Sequence, residues 1–450
     1  MPSSLRHRLV LALPVTLAAT CVLVLGGTGP AYAACPPGSG TGSSAPGTGS
    51  ALPGTGSTLP GTGSALPGSS EPGVTPIPWL NGQDGRLPQL KGTTTAVAHM
   101  TGLMGDNDTV PRFGVLGTDL GIMWDNGEGQ VLAAFGDTFG FNRNPFCGLV
   151  GDWRSNILFR STDRSLSDGM SIDSAPLDRP NHARELIESR KVSGVEITTI
   201  PTAGIAVDGV QYLDFMSVRS WGAPGEWHTN FSALASSTDN GETWTVHPLT
   251  ARLNESLSGN ANFQMGAFVE HDGWIYRFGT PSGRNGAAHL ARVRPESLLD
   301  PLAYEYWDGV AAWVPTDPKA AGVVIPGPVS ELSVAYNDHL GGFVALYTDA
   351  TNSIVARTSA SLESGWSEPK VLVSSRDVPS VYGAFIHPWS SGKDLYYLAS
   401  TWSDYNVMLL RTDLDAAKLP KPVAPPPVAP PSPVAPLPVT PLPVAPPPSA

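Results

Sequence analysis

The chain has 450 residues and a formal charge of −12, from 27 Lys and Arg against 39 Asp and Glu. This balance argues against binding to nucleic acid or to anionic membranes, because such binding depends on clustered basic side chains. The 49 Gly and 45 Pro exceed ordinary usage, which predicts segments outside any packed core.

The first 33 residues predict a secretory signal peptide. Basic residues at the start precede an apolar run from Leu9 to Leu25, and Ala31-Tyr32-Ala33 forms a small-x-small cleavage site. Pro14 breaks the run, which is also too short to favour a permanent transmembrane span. We therefore expect a secreted or cell-wall-associated, extracellular protein without a transmembrane span.

Three cysteines occur, and Cys21 would leave with the signal peptide. The mature chain would keep Cys35 and Cys147, which could form one disulfide in an oxidising compartment. Alternatively, Cys35 could carry a lipid, since it closely follows the cleavage site. Two cysteines in a chain of this length do not make a disulfide framework.

Two low-complexity segments flank the central region. Residues 34–75 are rich in Gly, Pro, Ser and Thr and repeat every seven residues from Pro46, a composition that excludes a helix and predicts a flexible linker. Residues 420–450 contain 15 Pro among 31 residues and predict a disordered polyproline II tail, either a spacer or a docking ligand. The domain that remains spans residues 76–419.

Five similar units follow one another in residues 76–419. Each has an apolar strand, a tight polar turn, a second strand and a later third strand. The turns contain Asp125-Asn126-Gly127, Asp208-Gly209, Asp272-Gly273, Gly341-Gly342 and Gly392. Serial hairpins of this kind predict an all-β, five-bladed β-propeller. The fifth unit lacks a fourth strand, so we expect Thr93 to Met100 to supply it and close the ring.

One motif has a structural meaning. The segment Ser237 to Trp244 matches the Ser-x-Asp-x-Gly-x-Thr-Trp turn, the Asp-box, that occurs in sialidase-like propellers. Asp239 is expected to hold this turn and not to act in catalysis.

Asp119 and Asp137 are the candidate catalytic residues. The first strand of each blade lines the channel of a propeller, and Asp119 lies near the start of such a strand. Positions 119 and 137 are symmetric about residue 128 in the first hairpin, so the two residues are expected to lie near one another across the strands, where directly opposite Cβ atoms are about 5 Å apart. Two close carboxyls favour one protonated acid beside one ionised base, as glycoside hydrolysis requires. The alternative is that both residues are turn formers.

Further residues are candidates for substrate binding. Glu331 precedes the first strand of the fourth unit and could be a third acid or a hydrogen-bonding group. Aromatic, amide and basic side chains on the same rim would suit a carbohydrate, although each Trp could also pack between blades. These candidates are Arg154, Asn156, Trp221, Asn230, Gln264, Tyr382 and Trp402. Neither metal-ligand spacing nor a phosphate loop is evident, so we expect no metal and no cofactor.

Several motifs are similar to those of the actinobacterial endo-D-arabinanases, glycoside hydrolase family 183. They are Gly117 to Gly121, Met123 to Gly127, Phe135 to Phe139, Gly151 to Asn156, Asn262 to Gly266 and Ser330 to Ser333. The resemblance implies a secreted five-bladed propeller that cleaves internal α-D-arabinofuranosyl linkages in the arabinan of mycobacterial arabinogalactan and lipoarabinomannan. It also implies that Asp119 and Asp137 are catalytic.

Our hypothesis at this point is that Asp119 is the base and Asp137 the acid, although the roles could be exchanged. Directly opposed carboxyls would predict the roughly 5 Å spacing of retaining enzymes, whereas an offset would predict the roughly 6.5–9.5 Å of inverting ones. Analogy with other furanose-cleaving propellers favours inversion. The protein is expected to act as a monomer on a polysaccharide.

Two other functions compete with this one. The first is a non-catalytic propeller that binds cell-wall arabinan without cutting it. The second is a sialidase-like hydrolase, but the sequence lacks a clear triad of arginines for a carboxylated sugar.

Overall fold

The computed structural model describes residues 86–140, 152–402 and 404–422. The predicted signal peptide, the linker, Cys35, Cys147 and all but the first three residues of the proline-rich tail lie outside these ranges. Within them, no helix has the length and apolar character needed to cross a bilayer.

The chain forms an all-β propeller of five antiparallel blades, as the repeats predict. The first strands in the chain are β1 (Thr94–His99), β2 (Gly117–Asp125), β3 (Val131–Phe139), β4 (Trp153–Arg154), β5 (Ile157–Ser161), β6 (Leu177–Arg179), β7 (His182–Ala183), β8 (Thr198–Val207), β9 (Val210–Trp221), β10 (Trp227–Ser237) and β11 (Thr245–Leu253). They are followed by β12 (Met265–His271), β13 (Trp274–Thr280), β14 (Ala288–Val293), β15 (Glu305–Trp307), β16 (Trp313–Pro315), β17 (Val323–Ile325), β18 (Ser333–Asn337), β19 (Gly342–Thr348), β20 (Ile354–Ser359), β21 (Lys370–Val373), β22 (Val381–Ile386), β23 (Asp394–Thr401) and β24 (Asn406–Asp413).

The blades follow the chain. The first blade contains β2 to β5, the second β8 to β11, the third β12 to β17 and the fourth β18 to β21. The fifth contains β22 to β24 and β1, while β6 and β7 form a separate two-stranded ribbon. The helical segments are short: α1 (Thr109–Phe113), α2 (Leu414–Ala417) and 3-10 turns at Leu166–Asp168, Asn260–Phe263, Pro295–Ser297 and Pro318–Ala320.

The ring closes where sequence analysis predicts. Strand β1 pairs with β24, the last strand within the described residues, in a register that places Thr94 opposite Thr412. The hydroxyl oxygens of these two residues lie 2.7 Å apart and share a hydrogen bond in a buried position. The prediction for Thr93 to Met100 is therefore confirmed.

The five inner strands, β2, β8, β12, β18 and β22, surround a central channel of about 340 Å³. We call the end of the ring where these strands begin the entry end. The channel is lined by later residues of the strands, such as Ile122 to Asp125 on β2. Leu120 and Met265, nearer the entry end, belong to a buried apolar cluster together with Phe385, which also lines the channel.

The Asp-box forms a hydrogen-bonded turn between β10 and β11. Oδ1 of Asp239 accepts hydrogen bonds from the Ser237 hydroxyl at 2.7 Å and the Thr243 amide at 2.9 Å. Oδ2 accepts one from the Thr243 hydroxyl at 2.6 Å. The side chain of Asp239 thus holds the local backbone, as the motif predicts.

The first hairpin contains a bulge that the sequence pattern does not reveal. Thr118 pairs with Thr138 and Ile122 pairs with Ala134, as symmetry about residue 128 requires, but between them Leu120 pairs with Phe135. Leu120 adopts the left-handed φ of 69° and Gly121 a φ of 97°. Asp119 and Asp137 lie within this irregular stretch and are not paired in the ladder, which favours the offset alternative over direct opposition.

Candidate active site

Asp119 on β2 and Asp137 on β3 lie at the entry end of the first hairpin, and both are 0% exposed. The carboxyl of Asp119 lies against the backbone of Gly136, the residue before Asp137. A Cβ atom added to Gly136 would stand 2.5 Å from Oδ1 of Asp119. The Phe-Gly-Asp sequence therefore leaves the space that one carboxyl needs beside the other.

Asp119 receives a hydrogen bond from another blade. The Tyr382 hydroxyl on β22 donates to Oδ2 of Asp119 at 2.9 Å. The Tyr382 ring stacks on Trp402, with centroids 4.5 Å apart. Burial, followed by the charge of Asp137, raises the pKa of Asp119 to about 8, although the hydrogen bond from Tyr382 acts in the opposite direction.

Asp137 receives two hydrogen bonds on the same oxygen. Thr198 donates its hydroxyl to Oδ1 at 2.6 Å, and the Trp153 indole donates to Oδ1 at 2.8 Å. Among the described residues, Oδ2 of Asp137 has no hydrogen-bond partner. Burial raises the pKa of Asp137 to about 7 against the effect of both donors.

The two carboxyls can therefore hold one proton between them near neutral pH. Because close acids titrate as a pair, their pKa values describe the pair as a whole. The hydrogen bonds that Asp137 accepts from Thr198 and Trp153 favour its ionised form. The arrangement supplies one carboxylic acid and one carboxylate, both of them fully buried.

Arg284, which sequence analysis missed, joins the site from the loop between β13 and β14. Its Nη2 lies 2.6 Å from Oε1 of Glu331, and Nε lies 3.1 and 3.2 Å from the two carboxylate oxygens. Burial disfavours the charge of Glu331, but Arg284 outweighs it and lowers the pKa of that carboxyl. Glu331 is therefore an ionised partner of Arg284 and not a proton donor. No local pattern marks Arg284, since its partners lie far away in sequence.

The predicted aromatic residues meet around Arg284. Its guanidinium carbon lies 4.8 Å from the ring centroid of Tyr382, 5.2 Å from that of Trp402 and 5.7 Å from that of Trp227. Trp221 packs edge-on against Trp227, with centroids 6.2 Å apart. The predicted residues Glu331, Tyr382, Trp402 and Trp221 thus share one aromatic and ionic rim.

Two predicted substrate-binding residues have structural hydrogen bonds instead. The guanidinium of Arg154 donates to the backbone carbonyls of Phe113, Gly114 and Ala183. The amide of Asn156 donates to Ile187 and Thr199 and accepts from the backbone of Leu186 and Ile187. Asn156 holds the polypeptide between the first two blades, and Arg154 ties the end of α1 to β7, because buried polar groups must be satisfied.

Gln264 and Asn230 also differ from the sequence interpretation. Gln264 is fully buried; it accepts from Thr229 at 2.6 Å and donates to the carbonyls of Arg252 and Asn260, both at 2.9 Å. The amide nitrogen of Asn230 donates to the Val195 carbonyl at 2.7 Å and to Ser217 at 3.1 Å. Both residues stand in sequence near the starts of predicted inner strands, and this placement does not indicate that their amide groups hydrogen-bond within the protein.

Metal binding can be assessed only for the part of the chain that the structure describes. There, no group of three or more His, Cys, Asp or Glu side chains is placed to hold a metal ion.

The fold and the site define a five-bladed propeller with a buried carboxyl pair at the entry end of its ring. The family model described as "Domain of unknown function (DUF4185)" matches residues 104–411, and the chain belongs to this family.

Two fungal relatives match over most of their length. Notoamide biosynthesis cluster protein J of Aspergillus sp. (strain MF297-2) is 31% identical over 319 residues, which cover 66% of this chain and 83% of that protein. Notoamide biosynthesis cluster protein J' of Aspergillus versicolor is 29% identical over 335 residues, which cover 70% of this chain and 89% of that protein.

Solved structures with a similar chain trace include glycoside hydrolases. A putative hydrolase from Bacteroides ovatus ATCC 8483 aligns with a TM-score of 0.48 and 16% identity over 67% of this chain and 87% of that chain. The exo-beta-1,3-galactanase of Phanerochaete chrysosporium aligns with a TM-score of 0.44 and 13% identity over 74% of this chain and 67% of that chain.

Proposed function

We propose that this protein is a secreted endo-D-arabinanase. Its substrate would be the arabinan of mycobacterial arabinogalactan and lipoarabinomannan, in which it would hydrolyse internal α-D-arabinofuranosyl linkages. The proposal includes membership of glycoside hydrolase family 183, which is supported by the motifs around Asp119, Asp137 and Glu331.

The observation that carries the proposal is the buried pair Asp119 and Asp137, whose pKa values are raised to about 8 and about 7. A glycoside hydrolase needs one carboxyl that donates a proton and one that accepts a proton or attacks the sugar. A protein that only binds sugar needs neither group to be neutral near pH 7. The placement of two buried carboxyls together at one end of the first hairpin, each with a hydrogen-bond donor, therefore supports hydrolysis over binding.

We assign Asp119 as the acid and Asp137 as the base, which exchanges the roles of the sequence hypothesis. Asp137 accepts two hydrogen bonds on Oδ1, and these favour its ionised form. Burial and the charge of Asp137 both favour the protonated form of Asp119.

The reaction then follows from these two states. Asp137 takes a proton from water as the water oxygen bonds to the anomeric carbon. The glycosidic C–O bond breaks, and its leaving oxygen takes the proton of Asp119. Because the bulge removes direct opposition of the two residues, we expect the wider carboxyl spacing, roughly 6.5–9.5 Å, and inversion at the anomeric carbon.

The charge of the rim supports a neutral substrate. The charge of Arg284 acts on Asp119, and its salt bridge to Glu331 has a shortest N–O distance of 2.6 Å. A carboxylated sugar would have to displace Glu331 and leave that carboxylate buried and unpaired, which is costly. Aromatic faces such as Trp402 suit the apolar faces of neutral furanose rings.

Incubation of the mature protein with purified arabinogalactan tests the proposal. Product sizing should give oligosaccharides that shorten with time. Free arabinose as the first product would overturn endo-cleavage, and intact polymer retained on the folded protein would show a binding module. The matched control is Asp239→Asn, which changes an acid outside the site and should leave the product pattern unchanged.

A further inference from the structure

We propose that Arg284 and Glu331 are positioning residues that control the protonation of Asp119, and that Lys191 and Glu185 do the same for Asp137. The inference rests on the proposed function and deepens it. In this inference, one ion pair beside each carboxyl helps to keep Asp119 protonated as the acid and Asp137 ionised as the base.

Arg284 lies among residues of several blades. It belongs to the third blade and contacts the Trp227 ring of the second, Glu331 before the first strand of the fourth, and the Tyr382 and Trp402 rings of the fifth. Its backbone amide donates to the Gly225 carbonyl at 2.9 Å, which anchors the loop. These contacts hold the guanidinium in one place.

The contact with Tyr382 is the step that reaches Asp119. The guanidinium carbon lies 4.8 Å from the Tyr382 ring centroid, and the hydroxyl of that ring donates to Asp119 at 2.9 Å. Arg284 therefore helps to orient the donor. Its charge also favours the ionised form of Asp119, whereas Glu331 opposes it.

The same arrangement occurs at Asp137. Trp153 donates its indole N–H to Asp137 at 2.8 Å, and Nζ of Lys191 lies 5.5 Å from the Trp153 ring centroid. Lys191 donates to the Trp153 carbonyl at 3.0 Å and to Glu185 at 2.7 Å. Glu185 in turn accepts from the Ser155 amide at 3.0 Å.

In each ion pair, the cation favours ionisation of the neighbouring Asp and the anion opposes it. Lys191 favours ionisation of Asp137 and Glu185 opposes it, as Arg284 and Glu331 do at Asp119. Each carboxyl thus has an aromatic donor and an ion pair behind that donor. This repetition at two separate carboxyls argues that the ion pairs act on the site as well as on stability.

Four variants test the proposal through the pH dependence of kcat/KM on arabinan. Arg284→Gln leaves the charge of Glu331 unbalanced, so the basic limb, assigned to Asp119, should move to higher pH. Glu331→Gln leaves Arg284 unbalanced and should move that limb to lower pH. Each shift should be about one pH unit. Lys191→Gln and Glu185→Gln should shift the acidic limb, assigned to Asp137, upward and downward respectively.

Arg284→Lys is the conservative control, because it keeps the charge while losing the bidentate geometry. It should restore the wild-type position of the basic limb even if kcat falls. A purely structural pair would lower kcat in Arg284→Gln and Glu331→Gln without moving the limb in opposite directions. That result in folded variants would overturn the proposal.

A titration without substrate separates this inference from the proposed function. In full-length protein labelled with ¹³Cγ-aspartate, the Asp119→Asn and Asp137→Asn spectra assign the two carboxyl resonances. The Asp119 resonance should titrate at higher pH in Arg284→Gln and at lower pH in Glu331→Gln, whether or not arabinan is the substrate. Unmoved resonances overturn the inference, and absence of arabinan hydrolysis with moved resonances overturns only the substrate.

Discussion

The Tyr382 hydroxyl donates to Oδ2 of Asp119 at 2.9 Å, across 263 residues of sequence. The bond joins the first strand of the fifth blade to the first strand of the first blade. These blades become neighbours only when the ring is closed by β1. The environment of Asp119 is therefore a product of the whole fold and not of the first hairpin alone.

Tyr382→Phe should shift the pH dependence of the acid, Asp119, while preserving the aromatic ring at position 382. The hydrogen bond from Tyr382 lowers the pKa of Asp119, so its loss should move the basic limb of the pH profile upward. The stack on Trp402 should remain. The control is Tyr397→Phe, which removes another buried hydroxyl, one that lies 3.2 Å from the Thr412 hydroxyl. Equal profiles for the two variants would contradict the role of Tyr382.

Gly136→Ala should reduce activity with little effect on the fold. The added Cβ would lie 2.5 Å from Oδ1 of Asp119, so that carboxyl must move. We expect a loss in kcat/KM of at least about tenfold, since small displacements of catalytic groups are costly. Gly392→Ala is the control, because nothing lies within 4 Å of its added Cβ. Similar rates for both variants and wild type would refute the close approach of the Asp119 carboxyl to Gly136.

The buried acids should make stability fall as pH rises. The pKa of Asp119 is 3.8 in the unfolded reference and about 8 in the fold, so between these values the native state holds a proton that the unfolded state lacks. The resulting loss of folding stability is absent below about pH 4 and grows as the pH rises toward 8. Asp119→Asn should therefore raise Tm relative to wild type at pH 8 and not at pH 4. Thermal unfolding across this range measures the difference.

Asp239→Asn should show the opposite dependence. Burial opposes the charge of Asp239, but hydrogen bonds from Thr243 and Ser237 outweigh it and lower its pKa to about 2. The stability this provides is present above about pH 4 and is lost as pH falls toward 2. The variant should have a lower Tm than wild type at pH 7, and the difference should shrink near pH 2. A Tm difference that does not change with pH would contradict this role.

Removal of the closing strand should abolish cooperative folding. A chain that begins at residue 101 lacks β1, so β24 would become an exposed edge and the buried pair of Thr94 and Thr412 would be lost. A chain that begins at residue 86 keeps β1 and should retain a single cooperative transition. Calorimetry that finds equal melting curves for the two chains would disprove closure by β1.

The sequence reveals the repeats and the closing strand because hairpin turns and apolar alternation are local signals. It also indicates that Asp119 and Asp137 share one end of a hairpin, since position in a hairpin follows from counting. It does not reveal the bulge, because Leu120 is an unexpected residue for a left-handed φ of 69°. A count of residues assumes a regular ladder, so it leaves direct opposition and a one-residue offset both open until the register is known.

The surroundings of the acids were less predictable. Arg284 reaches Glu331 and Tyr382 through contacts between blades, and no spacing in the sequence records them. Arg154 and Asn156 stand beside the motif of Trp153, but their polar groups satisfy buried backbone. Nearness in sequence therefore indicated the neighbourhood of the site without separating residues that face it from residues that support it.

The most direct test of the central claim compares wild type with Asp119→Asn and Asp137→Asn in the rate of oligosaccharide release from purified arabinan. All three proteins should be folded, as judged by thermal unfolding. We expect each substitution to reduce the rate by about 10²–10⁴-fold, the usual contribution of a general acid or base. Near wild-type rates for either folded variant would contradict the assignment of the carboxyl pair.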